Sequence, residues 1–223
     1  MPTDRRDFLG QVAAGALAMT QTAGPDSGFG PLQPKSSLPP DEWDLSWVDR
    51  IKGKHRAVFD CPSIEGGIGF LRALIWRTQY TQVLAVSPED LTAVVVFRHQ
   101  AIALAMKQEY WDRYRIGKEL KVRNPFTDEP TTRNPVLLPS KDAPPSLGDI
   151  SLGGFIGSSG IVLGCGLAFN DVVARIARVD NVPQKEAEAQ ARALLSPGVI
   201  LQPSGVFAAI RAQQAGCAYL SAS

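Results

Sequence analysis

The chain has 223 residues, 44% hydrophobic and 20% charged, a globular composition long enough for one sizeable domain or two small ones. Its 23 basic and 22 acidic residues nearly cancel, which removes the electrostatic footprint that nucleic acid or an anionic membrane surface would select. Three cysteines, Cys61, Cys165 and Cys217, are too few for a disulfide-built scaffold, and no apolar run approaches the roughly 20 residues of a stable membrane span.

The chain opens MPTDRRDFLG, followed by the modestly apolar, Ala- and Gly-rich QVAAGALAM. A basic start, a short apolar segment and small residues suit a secretory signal better than a fold element. Arg5-Arg6 with Asp7, Phe8 and Leu9 resembles the twin-arginine motif, with Asp4 and Gly10 departing from it, and Ala16-Leu17-Ala18 offers a cleavage site. The alternative is an ordinary amphipathic N-terminal helix. Residues 1–24 are therefore expected to be a twin-arginine-type signal, placing the mature protein in the periplasm or otherwise outside the cytoplasm. Residues 25–53 form a Pro/Gly-rich tether and lead-in, and 54–223 form the domain.

Within that domain strands and helices alternate. Arg56 to Cys61 is a short β-prone run ending at Pro62, and Ile64, Ile68, Leu71 and Ile75 then recur at helical spacing. Leu91 to Phe97, LTAVVVF, reads as a strand covered on both faces. A second helix is expected over Ala101 to Tyr114. Residues 121–146 hold six prolines among polar residues and break the pattern, as a lid or a mobile insertion would. Leu147 to Gly160 is expected to be a helix whose Gly153, Gly157 and Gly160 make a smooth packing ridge. Because this Gly-rich run precedes a strand, it does not fit a dinucleotide fingerprint. Ile161 to Cys165 is the third strand, with helical runs over Ala168 to Arg178 and Gln184 to Leu195. Val199 to Leu201 is the fourth strand, Ser204 caps a helix that Gly216 stops, and Cys217 to Leu220 is the last strand. This alternation predicts an α/β fold, a largely parallel sheet between two helical layers.

In such a sheet ligands bind beyond the carboxyl ends of the strands. Cys61 ends the first strand, Arg98 and His99 follow the second, and Cys165 ends the third between Gly164 and Gly166. Thiols near cationic groups become nucleophiles, with His99 suited to accept a proton and Arg98 to stabilise an anionic sulfur. The competing reading makes each cysteine a small buried hydrophobe. A Cys61–Cys165 disulfide requires Cα atoms within about 7 Å. Two cysteines and a histidine suit a metal by type but not by spacing, and His55 falls at the wrong end of its strand, so no metal or other cofactor is expected. No G-x-S-x-G elbow is present.

The C-terminal third holds, in order, Gly164-Cys165-Gly166-Leu167, then Pro197-Gly198-Val199, Pro203-Ser204-Gly205-Val206, and Gln213, Gly216 and Ala218-Tyr219. In this succession it resembles the DsrE/DsrF-like sulfur-relay family. The similarity covers about 60 residues well and reaches back to Lys54 through strand–helix order alone. The resemblance implies a DsrE-like three-layer fold, Cys165 as a persulfide-carrying residue, and as partners a homo-oligomer mate and a sulfur-donor or acceptor protein. The export signal and the Pro-rich insertion depart from relay-type members. The alternative function is a non-catalytic periplasmic binding or assembly module using the glycine ridge and the 121–146 loop.

Overall fold

A run such as LTAVVVF has no polar side to turn toward water, and β2 (Leu91–Phe97) accordingly has all seven residues buried. It pairs in parallel with β1 (His55–Cys61) along the full length of both, from His55↔Leu91 to Cys61↔Phe97. The computed structural model describes residues 43–137 and 142–223. In it β3 (Ile161–Cys165), β4 (Val199–Gln202) and β5 (Ala218–Ser221) complete a five-stranded, all-parallel sheet in the order β4-β3-β2-β1-β5. The expected α/β architecture with a parallel sheet between helical layers is what the chain forms. The signal-like segment and most of the tether fall in residues 1–42, outside the described residues.

Each strand alternates its side chains between two cores. On one face Phe59, Val95, Phe97 and Val162 pack under α1 (Ile68–Leu84), α5 (Gly166–Asp180) and α6 (Gln184–Ala193). On the other, Val58, Val94, Val96, Ile161 and Leu163 pack against Ala208 and Ala212 of helix α7 (Gly205–Gln214) and against Trp47. The topology follows from crossover handedness. From β1 to β4 the chain steps across the sheet in one direction, so right-handed crossovers keep their helices on one face. The return from β4 to β5 runs the other way, and the same hand puts α7 on the opposite face, packed across all five strands.

Four expectations change. The helix over Ala101 to Tyr114 is instead a 3₁₀ run, His99–Ala105, followed by the short α2 (Gln108–Arg113) and α3 (Ile116–Glu119). Ala101 to Met106 are all buried, so this segment is held by its surroundings on every side rather than by one amphipathic face. Trp111 Nε1 donates to Ala103 O at 2.7 Å and Lys107 N to Leu194 O at 2.9 Å. The helix over Leu147 to Gly160 shrinks to α4 (Leu152–Gly157), capped by Ser151 Oγ, which accepts from Gly154 N. Of its expected glycine ridge only Gly160 is closely packed, a side chain there running into the Phe155 ring; one at Gly153 would meet only Ser151 Oγ, at 3.9 Å, and one at Gly157 nothing within 4 Å.

The Pro-rich insertion, of which 138–141 lie outside the described residues, is irregular as expected but is pinned. Asn134 is fully buried, its Nδ2 donating to Leu104 O and Met106 O while its Oδ1 accepts from Val136 N. Finally, the lead-in is part of the domain: residues Ser46–Arg50 form a 3₁₀ turn with Trp47 fully buried, and Arg50 Nη2 donates to Gly160 O at 3.2 Å.

Candidate functional site

Neighbouring strands β3 and β4 send their connections to opposite faces, α5 to one and α7 to the other. In parallel sheets, a reversal of this kind beyond the carboxyl ends is the position at which ligands bind. Cys165 is the last residue of β3 and the N-cap of α5, with no spacer between strand and helix. Its Sγ accepts from Ala168 N at 3.5 Å, so a free amide and the positive end of a 15-residue helix face the sulfur. Cys165 is 6% exposed.

Pairing of Phe97 with Gly164 and of Cys165 with Gln202 sets a row across three strands: Arg98, Cys165, Gln202. Arg98 continues the extended backbone of β2. Its Nε and Nη2 donate to Asp60 Oδ1 and Oδ2 at 2.7 and 2.8 Å, a bidentate pair in which Asp60 is buried. Tyr219 Oη from β5 donates to Asp60 Oδ2 at 2.7 Å. The bond to Asp60 raises the affinity of Arg98 for its proton, desolvation opposes this, and the charges of Asp60, Tyr219 and Cys165 add to it. Arg98 thus senses the Cys165 sulfur, but its own charge is largely answered by Asp60. The same carboxylate holds Tyr219 above the ordinary phenol range. The Arg98 stem lies against the first turn of α7, where a side chain on Gly205 would come within 2.6 Å of Arg98 Cβ.

On the other side of Cys165, Gln202 is fully buried. Its Nε2 donates to Asp44 O at 2.8 Å and Leu201 O at 2.9 Å, which fixes the orientation of the amide, while Oε1 has no partner among the described residues. Trp43 closes this corner, its indole 3.0 Å from where a side chain on Gly166 would begin.

The other expected site residues lie differently. His99 is exposed at the start of the 3₁₀ run, with φ of 47°, and its charge reaches Asp171 on α5; partial burial raises Asp171 and His99 pulls it back. Gly164 and Gly166 are required by the chain itself: Leu201 and Ile102 approach the first, the Gln202 carbonyl and Trp43 the second. Cys61 is fully buried under α1, its Sγ 2.6 Å from where a side chain on Gly69 would start and donating to Phe59 O at 3.6 Å. Burial first, then the Asp60 charge, push its thiol far up against the pull of Arg72 and Arg98. Because β2 lies between β1 and β3, Cys61 and Cys165 are two strand spacings apart, about 9.5 Å. That exceeds disulfide reach, and all three cysteines are free. Cys217 is buried in the opposite core, where desolvation lifts it to about 11 against Arg56.

Among the described residues no group of three His, Cys, Asp or Glu side chains could hold a metal ion, and no helix is long and apolar enough to cross a membrane. His55 packs edge-on against Tyr80, at 5.4 Å between ring centroids. A concavity of about 540 Å³ lies between the β1–α1 turn at Ser63–Gly66 and the insertion at Leu120–Asp128, with Gln100 on its wall.

Asp60, Tyr219, Gln202 and Trp43 belong to this corner although sequence motifs do not single them out as site residues. One signal was available: an aspartate inside the apolar run Ala57-Val58-Phe59-Asp60-Cys61 must find a cation or lose its charge, and Arg98 is the cation one strand away. Comparison of the chain with protein-family models, with curated proteins and with solved structures found no match.

Proposed function

We propose that this is an exported, DsrE-like protein that handles sulfur species or thiols through Cys165, as a persulfide carrier or redox thiol. The observation that carries this reading is the placement of the Cys165 sulfur at the switch between β3 and β4, on the N-terminus of α5, with Arg98 and Gln202 beside it. In carrier chemistry the Cys165 thiolate attacks the outer sulfur of a donor persulfide. The new S–S bond forms as the donor's breaks, the donor leaves as a thiol after taking a proton, and no external oxidant enters. His99 serves the proton transfer, and the Arg98–Asp60 pair holds the strand end in register. Mass spectrometry of the protein after incubation with a persulfide donor tests this: Cys165→Ser abolishes the gain of one sulfur atom, whereas Cys61→Ser and Cys217→Ser keep it. Normal uptake and release of sulfane sulfur by Cys165→Ser overturns the reading.

A non-catalytic binding module is favoured by one separate feature, the polar cavity under the insertion. On that reading, replacing residues 121–128 abolishes ligand or partner binding while Cys165→Ser leaves it intact.

A further inference from the structure

We infer that Trp43 and Asp44 form a strap that lies over the Cys165 corner and lifts to admit a reactant, an inference resting on the reading of Cys165 as the working thiol. The lead-in has one fixed end. Trp47 is fully buried among Val58, Val96 and Leu163, and the Asp44 carboxylate accepts from Ser46 N at 2.9 Å, joining the strap to that anchored turn. The other end is held lightly. Leu45 is 43% exposed, with its carbonyl accepting from Val48 N at 3.3 Å, and the Trp43 indole is only half-buried on the bare backbone of Gly166. Among the described residues one side-chain bond, Gln202 Nε2 to Asp44 O, ties the strap to β4.

Gln202 also supplies a reason for the strap to move. With the strap in place the amide is fully buried and Oε1 lacks a donor among the described residues. A buried acceptor without a partner raises the free energy of the closed form, and lifting the strap lets water or a donor on the reactant satisfy it. The Trp43 indole lies on the first residue of α5, next to Cys165, so the strap occupies the helix end that favours negative charge. A reactant carrying an anionic sulfur displaces the indole and takes its place. Glycine is the only residue type at position 166 that lets the ring down this far, since any side chain would meet both Trp43 and the Gln202 carbonyl.

Iodoacetamide labelling of the folded full-length protein, followed for each cysteine by mass spectrometry, tests the strap. Trp43→Ala is expected to speed labelling of Cys165 by on the order of tenfold, by shifting a local opening equilibrium. Trp43→Phe should stay close to the unsubstituted protein. Cys61 and Cys217, in the two cores, report on folding and should not change. An unchanged Cys165 rate with Cys61 and Cys217 still protected overturns the inference. Should Trp43→Ala unfold, with all three rates rising, the unsubstituted protein decides. A strap opening locally gives Cys165 labelling a much shallower dependence on low urea than Cys61 and Cys217 show, and equal slopes for all three overturn it. Sulfur transfer is scored separately. Faster labelling without sulfur uptake removes the sulfur reading and leaves the strap, and normal uptake with unchanged labelling does the reverse.

Discussion

The carboxyl ends of β1 and β3 carry one cysteine each, and the connections that leave them are built differently. After Cys61 the chain makes a six-residue turn before α1 begins, and that helix then lies back over the sulfur, with Gly69 pressed on Cys61 Sγ. After Cys165 the helix begins at once, so the sulfur becomes the cap of its first turn. Two residues of the same type at the same edge of one sheet are thereby given opposite environments, an apolar enclosure and a helix N-terminus. Position at a strand end does not fix a thiol's surroundings; the length of the ensuing turn does, by deciding whether the next helix lies back over the sulfur or begins on it.

Asp60 provides the hardest test of this contrast, since it raises the Cys61 thiol and anchors Arg98 at the Cys165 row. Asp60→Ala leaves Arg98 without its buried partner and is expected to cost about 3 kcal/mol in urea unfolding. An effect below about 1 kcal/mol would mean that the two strand ends are not coupled through this pair. Next comes Gly69→Ala, which drives a methyl group into Cys61 Sγ and should cost about 2 kcal/mol. Adding Cys61→Ala should recover part of that loss, a non-additivity read from a double-mutant cycle. Cys165→Ala combined with Gly69→Ala should show none.

The pH dependence sharpens the difference between buried and capped thiols. Cys217 is lifted to about 11 by burial, so the folded state keeps its proton where the unfolded chain has lost it. Its contribution is full below the unfolded value near 9 and is lost as pH rises toward 11, so stability falls across that window. Cys217→Ala should flatten the fall by about 1–2 kcal/mol in unfolding curves measured between the two pH values. The smallest effect belongs to Tyr219→Phe, which removes one donor from Asp60. As Tyr219 is itself 46% exposed, the loss should stay under about 1 kcal/mol.

Much of this fold is legible as pattern. LTAVVVF and IVLGC need no context to read as covered strands, and they span the observed β2 and β3 residue for residue. Ser204 caps α7 through Phe207 N as its type and position suggest, and Gly216, with φ of 88°, makes the left-handed stop. What is not legible depends on partners distant in sequence. The apolar stretch Ala101 to Met106 scans as helix, yet Asn134, 28 to 30 positions on, takes the Leu104 and Met106 carbonyls and holds the segment as a 3₁₀ path through the core. The site divides the same way. Cys165 and Arg98 stand at strand ends that pattern reveals, but Gln202 joins them only through the β3–β4 register, and Trp43 only because the lead-in folds back across Gly166. Strand order, which separates Cys61 from Cys165, is carried by no local feature of either segment.

The path of α7 across the sheet has a kinetic consequence. By carrying the chain from β4 to the far edge, it leaves β5 to pair with β1 across about 160 positions, and the Tyr219–Asp60, Ser63–Ser223 and Ala222–Asp60 bonds all close that same span. A loop so long pays its closure entropy before any pairing repays it, whereas β1 and β2 meet through a much shorter crossover. The β5 edge should therefore assemble after the rate-limiting step, so that weakening it with Tyr219→Phe accelerates unfolding and leaves the folding rate almost unchanged. The residues that complete the Asp60 cluster would then be the first to let go when the domain opens, making the edge strand the place where the lifetime of the folded state is set.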